Sequence, residues 1–185
     1  LPEFAFGYEQ VSTFGDVLLT QGAQIDVSGS GGDVSVHSHN LYMADSSSIT
    51  NYVSGLALPG TISLIAEDAI IAADSFELTG ANSTTPNYIT ASSIAGDGAG
   101  GDIVVNTRRL LVADGSQLES VTGGAGQGVD ISINASERVD VVGKAPTSTA
   151  SAAERVLLAL GLQFDSTAMG QPSVSRIVAT SGVEE

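Results

Sequence analysis

A short segment that recurs along the chain constrains its fold more than any other feature. Residues 100–105 read GGDIVV, 128–133 read GVDISI, 31–36 read GGDVSV, and 59–64 form the degenerate copy PGTISL. In each copy glycine or proline interrupts the chain, and small polar and β-branched residues then alternate. This pattern predicts a turn followed by a short strand with one buried face. Because such a segment cannot bury its own apolar face, the copies are expected to stack.

The spacing of these copies predicts a regular stack of strands. The interval from Gly32 to Gly101 equals the interval from Ile62 to Ile131, which defines a repeating unit. Gly60 divides this unit into a shorter turn, which begins at Gly32, and a longer turn, which ends at Gly101. Two turns per unit predict an all-β fold, a right-handed parallel β-helix (solenoid) of about five to six rungs.

The repeats also divide the chain into parts. These are an aromatic-rich entry segment at 1–14, the β-helix rungs at 15–143, an insertion at 144–171, and a final β-helix strand with a tail at 172–185. In the insertion, residues 151–154 (SAAE) form a capping-box pattern, and Gly161 can end a helix. A short helix is therefore expected at 148–162, as a cover for apolar surface or as a docking element for a partner.

Alternation within the predicted strands identifies the side chains that point into the stack. Stacked rungs lie about 4.8 Å apart, so these side chains should form aliphatic columns along the axis. A charge placed in such a column should disrupt several rungs. The predicted inward residues are Val34, Val36, Leu41, Met43, Ile62, Leu64, Ile103, Val105, Leu110, Val112, Leu118, Ile131, Ile133, Val139 and Val141.

Composition limits the classes of partner. The chain has 6 Lys and Arg against 21 Asp and Glu, a net charge of -15, so its surface should repel nucleic acids and anionic membranes. It contains no cysteine, which excludes a disulfide framework. No apolar run approaches the roughly 20 residues that span a bilayer. The opening residues 1–4 (LPEF) do not resemble a signal peptide, and both ends are expected to be cut from a longer protein.

The two histidines, His37 and His39, are the first candidate metal ligands. Two residues apart on a strand, they share a face, and with Val34 and Val36 inward both should point to solvent. A transition metal would need a third ligand in addition to the two imidazoles. The alternative is a pair of ordinary surface histidines.

Asp102 and Asp130 are the second candidate metal ligands, because each follows a glycine-containing turn of the repeat. Stacked one rung apart, these carboxylates would repel each other, and Ca²⁺ would relieve that repulsion. The alternative is that each Asp accepts hydrogen bonds from turn amides. We therefore predict no cofactor, with calcium as the candidate to test.

Basic residues near the same strands raise the question of catalysis. Arg108 and Arg109 share one predicted strand, and Arg109 is expected to align one rung away from Arg138. A β-helix polysaccharide lyase or hydrolase needs acidic groups and a basic group in one groove. The available groups are Asp102, Asp130, Glu137 and Arg138. Solvated strand edges are the alternative, and since no nucleophile motif or phosphate loop is present, we predict no catalytic residues and no enzyme.

Several of these segments resemble a known family. Residues 15–19 (GDVLL), 24–32 (QIDVSGSGG) and 135–143 (ASERVDVVG) are similar to filamentous-haemagglutinin-like exoproteins of bacterial two-partner secretion. The resemblance covers most of 15–143 and resumes at 172–182, whereas the insertion departs from the usual short excursion.

The resemblance implies a right-handed parallel β-helix that is exported through an outer-membrane β-barrel transporter. It further implies a secreted or cell-surface adhesin or filament shaft, with a carbohydrate or cell-surface receptor as a second partner. Two functions follow as hypotheses. The first is a non-catalytic structural or adhesive protein, and the second is a carbohydrate-active β-helix enzyme that acts on an acidic glycan. A lateral groove with clustered carboxylates would favour the second.

Overall fold

The protein is built from β-strands in the part of the chain that the structure describes. The computed structural model describes residues 11–29, 31–53, 60–71, 87–93, 100–122, 129–148 and 172–181. These residues form β1 (Val17–Leu19), β2 (Gln24–Asp26), β3 (Val34–Met43), β4 (Ser48–Val53), β5 (Ile62–Ile71), β6 (Tyr88–Ser93), β7 (Ile103–Ala113), β8 (Gln117–Thr122), β9 (Ile131–Val142), β10 (Lys144–Ser148), β11 (Pro172–Val174) and β12 (Arg176–Ser181). The predicted all-β class is confirmed for these ranges.

Successive strands alternate between two five-stranded parallel sheets. The first sheet has the order β1-β3-β5-β7-β9, and the second has the order β2-β4-β6-β8-β12. One strand of the first sheet and the following strand of the second sheet are called a layer here, so β1 and β2 form the first layer and β9 and β12 the fifth. The short strands β10 and β11 pair with each other in the antiparallel sense.

The segment predicted to contain a helix begins as a strand. Ser148 ends β10, and the rest of the predicted helix, at 149–162, lies outside the described residues. The chain leaves the fifth layer after Gly143 and returns at Ser175, whose N–H donates to the Gly143 carbonyl at 3.2 Å. Among the described residues no helix is long and apolar enough to cross a membrane.

The register between strands confirms the repeat that was read from the sequence. Val34 pairs with Ile62, Ile62 with Ile103, and Ile103 with Ile131. These pairings reproduce the predicted alternation of a shorter and a longer turn. In the second sheet the equivalent ladder is Ile25, Ile49, Ile89, Leu118 and Ile177.

The two sheets enclose one aliphatic core. Eleven of the residues predicted to point inward are buried, namely Val34, Val36, Leu41, Met43, Ile62, Leu64, Ile103, Val105, Leu110, Val112 and Leu118. Ile131 and Ile133 are partly buried against this core. Val139 and Val141 continue the same columns but are 45% and 42% exposed, because β9 is the edge strand of its sheet. The register confirms their places in the predicted columns, but the two side chains are not buried.

The long strands of the first sheet contain a corner that simple alternation does not predict. In β3, Ser38 and Leu41 are buried while the two residues between them, His39 and Asn40, face outward. In β7, Arg108 and Arg109 occupy the equivalent outward positions. Strand β9 carries one extra residue there, seen as a register shift against β7. Two consecutive side chains therefore reach solvent at the corner in β3 and β7, and three do so in β9.

The turns between the sheets repeat one backbone conformation. Three pairs of neighbouring residues have positive φ, namely Gln21 and Gly22, Asp45 and Ser46, and Asp114 and Gly115. These pairs lie at equivalent places, before β2, β4 and β8, so the three turns are structurally equivalent.

Both faces of the second sheet are largely shielded from solvent in strands β4, β6 and β8, whereas only one buried face was expected. Six residues on the outer face of these strands are buried, namely Ser48, Thr50, Thr90, Ser92, Gln117 and Glu119. This shielding explains why β4 and β6 carry small hydroxyl residues where surface strands would carry charges, whereas β8 places Gln117 and Glu119 there.

Candidate functional site

The corner of the first sheet gathers most of the charged residues that the sequence singled out. His39, Glu67, Arg108 and Glu137 occupy this position on β3, β5, β7 and β9, and we call them the corner column. His39 Nδ1 lies 2.6 Å from Glu67 Oε2, and the Arg108 guanidinium donates to Glu137 Oε1 at 3.1 Å. The sign of the charge alternates along the column when His39 is protonated.

A second column runs beside the first, one residue further along each strand. Its positions in the register are Asp16, Asn40, Asp68, Arg109 and Arg138, and the predicted alignment of Arg109 with Arg138 is confirmed. Asn40 Nδ2 donates to Asp16 Oδ1 at 2.8 Å, and Arg138 forms an ion pair with Asp140. Arg109 Nε lies 3.9 Å from Glu137 Oε2.

These ion pairs lie on an open surface. The Arg108 and Glu137 side chains are 41% and 47% exposed, so solvent screens the pair. Such pairs contribute about 0–1 kcal/mol each. The corner column therefore joins neighbouring strands weakly and presents mixed charge to solvent.

The two histidines have separate partners. The His37 ring packs edge-on against Phe14, with ring centroids 5.5 Å apart at 64°. His39 faces Glu67, as described above. Both lie outward between buried residues, as predicted. Within the described ranges no three His, Cys, Asp or Glu side chains are close enough to share a metal ion.

The aspartates of the repeat connect one layer to the next. Asp33 Oδ1 accepts the Thr61 N–H at 2.8 Å, and Asp102 Oδ1 accepts the Asp130 N–H at 3.1 Å, each across 28 residues. The interpretation that the aspartate carboxylate accepts a backbone amide is confirmed for Asp102, although the amide belongs to the neighbouring layer, and Asp33 makes the same contact, whereas Asp130 contributes its N–H. Thr61 takes the place of an aspartate between Asp33 and Asp102.

The groups considered for catalysis are not brought together. Asp102 and Asp130 precede their strands, whereas Glu137 and Arg138 lie at the corner. Asp130 and Arg138 are separated by roughly 25 Å along an extended strand. A general acid or base must lie within hydrogen-bond reach of its target. These residues therefore do not form one acid–base site in this structure.

A partly buried ion pair on the second sheet, in which the Arg176 side chain is 36% exposed, was not found from the sequence. Arg176 on β12 contacts the Glu119 carboxylate on β8, and the Glu119 side chain is only 3% exposed. A glutamate within a strand does not by itself predict a buried ion pair, because most such residues face solvent. The partner is distant along the chain, beyond the insertion, so sequence spacing offered no indication of it.

Asn87 is a second residue whose role the sequence did not reveal. It directly precedes β6, and its side chain is fully buried. Its Oδ1 accepts the Ser47 N–H at 3.0 Å, and its Nδ2 donates to the Met43 carbonyl at 3.1 Å. Asn87 thus joins the turn of the second layer to the strand of the third.

Comparison with known proteins adds no constraint on the function. No family model, curated protein or solved structure matches the chain.

Proposed function

We propose that this chain is a right-handed parallel β-helix and serves as a non-catalytic structural or adhesive part of a secreted bacterial surface protein. The proposal combines two parallel sheets, whose strands alternate along the chain, with the family resemblance of residues 15–143. In this proposal each rung of the β-helix bends at the corner of the first sheet. The chain is exported through an outer-membrane transporter.

The observation that carries the proposal is that the charged residues of the repeat bind groups of neighbouring layers and strands. Asp33 and Asp102 bind amides of the next layer, and His39 and Arg108 bind carboxylates of neighbouring strands. Each contact strengthens the stack, and none requires a ligand. A rigid stack with an acidic, solvated surface can present side chains and loops to a carbohydrate or cell-surface receptor.

A turnover assay separates this proposal from a carbohydrate-active enzyme. Purified protein is incubated with polygalacturonate and with alginate, with added Ca²⁺ and with a chelator, and unsaturated sugars are measured by their absorbance. We expect no product in any sample and the same melting temperature with and without chelator. Calcium-dependent release of unsaturated sugars that is abolished by Arg138→Ala would favour the enzyme.

An adhesion assay tests the positive part of the proposal. Beads coated with the protein are passed over epithelial cells and over mucin under flow, with beads coated with heat-denatured protein as the control. Retention that free folded protein competes away is the expected result. Equal retention of folded and denatured coatings would contradict an adhesive role of this chain.

A further inference from the structure

The connection from the first sheet to the second takes two forms. The first, second and fourth layers use a tight turn, in which the N–H of Ala23, Ser47 or Ser116 donates to the carbonyl three residues earlier at 2.9–3.3 Å. The third layer connects β5 to β6 through residues 72–87, and the fifth connects β9 to β12 through 143–175. We call these two the long connections. A tight turn fixes the register of the strand that follows it, whereas a long connection does not.

A polar residue stands where each long connection rejoins the second sheet. Asn87 directly precedes β6, and Ser175 directly precedes β12. In the register of the sheet these two residues lie level with Ser47 and Ser116, the last residues of the tight turns in the second and fourth layers. Each long connection therefore re-enters beside the tight turn of the preceding layer.

The Asn87 side chain binds both ends of the tight turn in the second layer. Its Oδ1 accepts the Ser47 N–H at 3.0 Å, and its Nδ2 donates to the carbonyl of Met43, directly before that turn, at 3.1 Å. The backbone continues the contact, because the Tyr88 N–H donates to the Ser47 carbonyl at 3.2 Å. Asn87 is fully buried, so water does not replace these bonds when they are lost.

Ser175 makes the corresponding contacts in the fifth layer. Its Oγ accepts the N–H of Gly115, inside the tight turn of the fourth layer, at 2.8 Å. The same hydroxyl donates to the carbonyl of Val142, at the end of β9, at 2.6 Å. The Ser175 N–H donates to the Gly143 carbonyl at 3.2 Å. One residue thus joins the end of β9, the preceding turn and the start of β12.

We propose that Asn87 and Ser175 are register locks, which fix where β6 and β12 rejoin the second sheet whatever the length of the long connections. A shift of a strand by two residues keeps every side chain on its face, and a longer loop costs little extra entropy to close. The two side chains oppose such a shift, because it would move them away from their partners on the tight turn. The inference is independent of the proposed adhesive role.

Disulfide crosslinking measures the register of β12, because the chain has no cysteine of its own. Val121 pairs with Thr180 in the observed register, so Val121→Cys with Thr180→Cys reports that register. A shift by two residues would place Val178 opposite Val121, and Val121→Cys with Val178→Cys reports that shift. In a glutathione redox buffer the yields of the two disulfides in the full chain measure the two registers.

Variants of the full chain separate the lock from the connection. A flexible run of about eight glycine and serine residues between Gly161 and Leu162 lengthens the connection and should leave both yields unchanged. Ser175→Ala should raise the ratio of the shifted to the observed register by about tenfold, because two hydrogen bonds of its hydroxyl are lost. Ser175→Thr keeps the hydroxyl and should restore the wild-type yields. Ser132→Ala, which removes an exposed serine from β9, is the matched control.

Asn87 gives an independent test in the third layer. Ser92 pairs with Val121 in the observed register, and Thr90 would take its place after a shift by two residues. Val121→Cys is therefore combined with Ser92→Cys or with Thr90→Cys. Both combinations break the same hydrogen bond between the Thr90 and Ser92 hydroxyls, so the two backgrounds are matched. Asn87→Ala should lower the first yield and raise the second.

Three results would overturn the proposal. Wild-type yields in both Ser175→Ala and Asn87→Ala would show that these side chains do not set the register. Altered yields in the lengthened chain, which retains every described residue, would show that the length of the connection sets it. An equal loss of the observed-register disulfide in Ser132→Ala would indicate a general loss of stability. Circular dichroism verifies that each variant is folded.

Discussion

Single residues decide how closely the layers approach each other. Gly60 lies directly against the backbone of Gly32 in the preceding layer, so a side chain on Gly60 has no room. Gly15 lies in open space, and neither glycine has a positive φ. The requirement for glycine at position 60 therefore comes from packing between layers and not from the turn itself.

Gly60→Ala should destabilise the protein by about 1–3 kcal/mol, because the new Cβ collides with the Gly32 carbonyl and the Asp33 carboxylate. Gly15→Ala is the matched control and should change stability by less than about 1 kcal/mol. Urea denaturation of both variants measures the difference. Equal stability of the two would contradict the close approach of these layers.

The buried amide of Asn87 should also be costly to remove. Asn87→Ala leaves the Ser47 N–H and the Met43 carbonyl without this partner in a buried setting, which costs about 1–3 kcal/mol. Asn106→Ala removes an exposed amide that pairs with Asn134 and should cost no more than about 0.5 kcal/mol. Thermal unfolding of the two variants side by side is the measurement, and a larger effect at Asn106 would refute the assignment.

The lowered pKa of Asp26 makes the stability of the protein depend on pH in the acid range. The hydroxyl and the backbone N–H of Ser28 donate to the carboxylate and hold the pKa of Asp26 below its ordinary value of 3.8. The folded state thus binds this proton more weakly than the unfolded state does. The resulting stabilisation is present above the ordinary pKa and is lost as the pH falls through the folded-state pKa.

An NMR titration of the Asp26 carboxyl tests this assignment. In Ser28→Ala the hydroxyl donor is lost while the N–H remains, so the pKa of Asp26 should rise toward its ordinary value without reaching it. An unchanged pKa in this variant would show that the hydroxyl does not contribute.

Strand β12 is tied to its sheet by an ion pair as well as by backbone hydrogen bonds. It returns to the sheet after the insertion and pairs with β8 over its full length. Glu119 on β8 is buried and contacts Arg176 at the start of β12. The stability of a buried carboxylate depends strongly on its guanidinium partner. Removing the partner leaves a buried charge whose desolvation is no longer compensated.

A double-mutant cycle with Glu119→Gln and Arg176→Met should give a coupling energy of about 1–3 kcal/mol. The same cycle on the exposed Arg108 and Glu137, with Arg108→Met and Glu137→Gln, should give no more than about 1 kcal/mol. Hydrogen exchange of β12 amides reports whether the strand opens locally. Equal coupling energies in the two cycles would refute the distinction between the buried and the exposed pair.

Stability in the whole molecule should depend on the position of a layer in the stack. In a solenoid each repeat contacts only its neighbours, so an interior layer gains two interfaces and an end layer one. Val105 in the fourth layer is inaccessible, whereas Val139 in the fifth is 45% exposed. Val105 and Val139 therefore compare the same residue type in a buried interior position and in a partly exposed outer one.

Val105→Ala should cost about 2–3 kcal/mol, from lost burial and the cavity that remains. Val139→Ala should cost less than about 1 kcal/mol, because this side chain is already nearly half exposed. Chemical denaturation at low protein concentration makes the comparison. A larger cost at Val139 than at Val105 would contradict the order of the layers.

Much of the architecture was predictable from the sequence because it depends on neighbouring residues. Alternation along a strand and the spacing of turns are local properties, and they predicted the pairing of Ile103 with Ile131 and the burial of both Val34 and Val36. The alignment of Arg109 with Arg138 followed from the same spacing. The candidate metal ligands were chosen by residue type and by their place on a strand or in the repeat, and the structure engages them in contacts within and between layers.

The remaining features became visible only when the strands were stacked. The tie between Glu119 and Arg176, the buried amide of Asn87 and the shielding of the outer face of the second sheet join residues that are distant along the chain. Their formation depends on the register of several strands together and on where the insertion returns to the sheet. The alternation of polar and apolar residues along a strand reveals neither the register nor the place of return. The alternation is the same whether the outer face of the sheet meets water or protein.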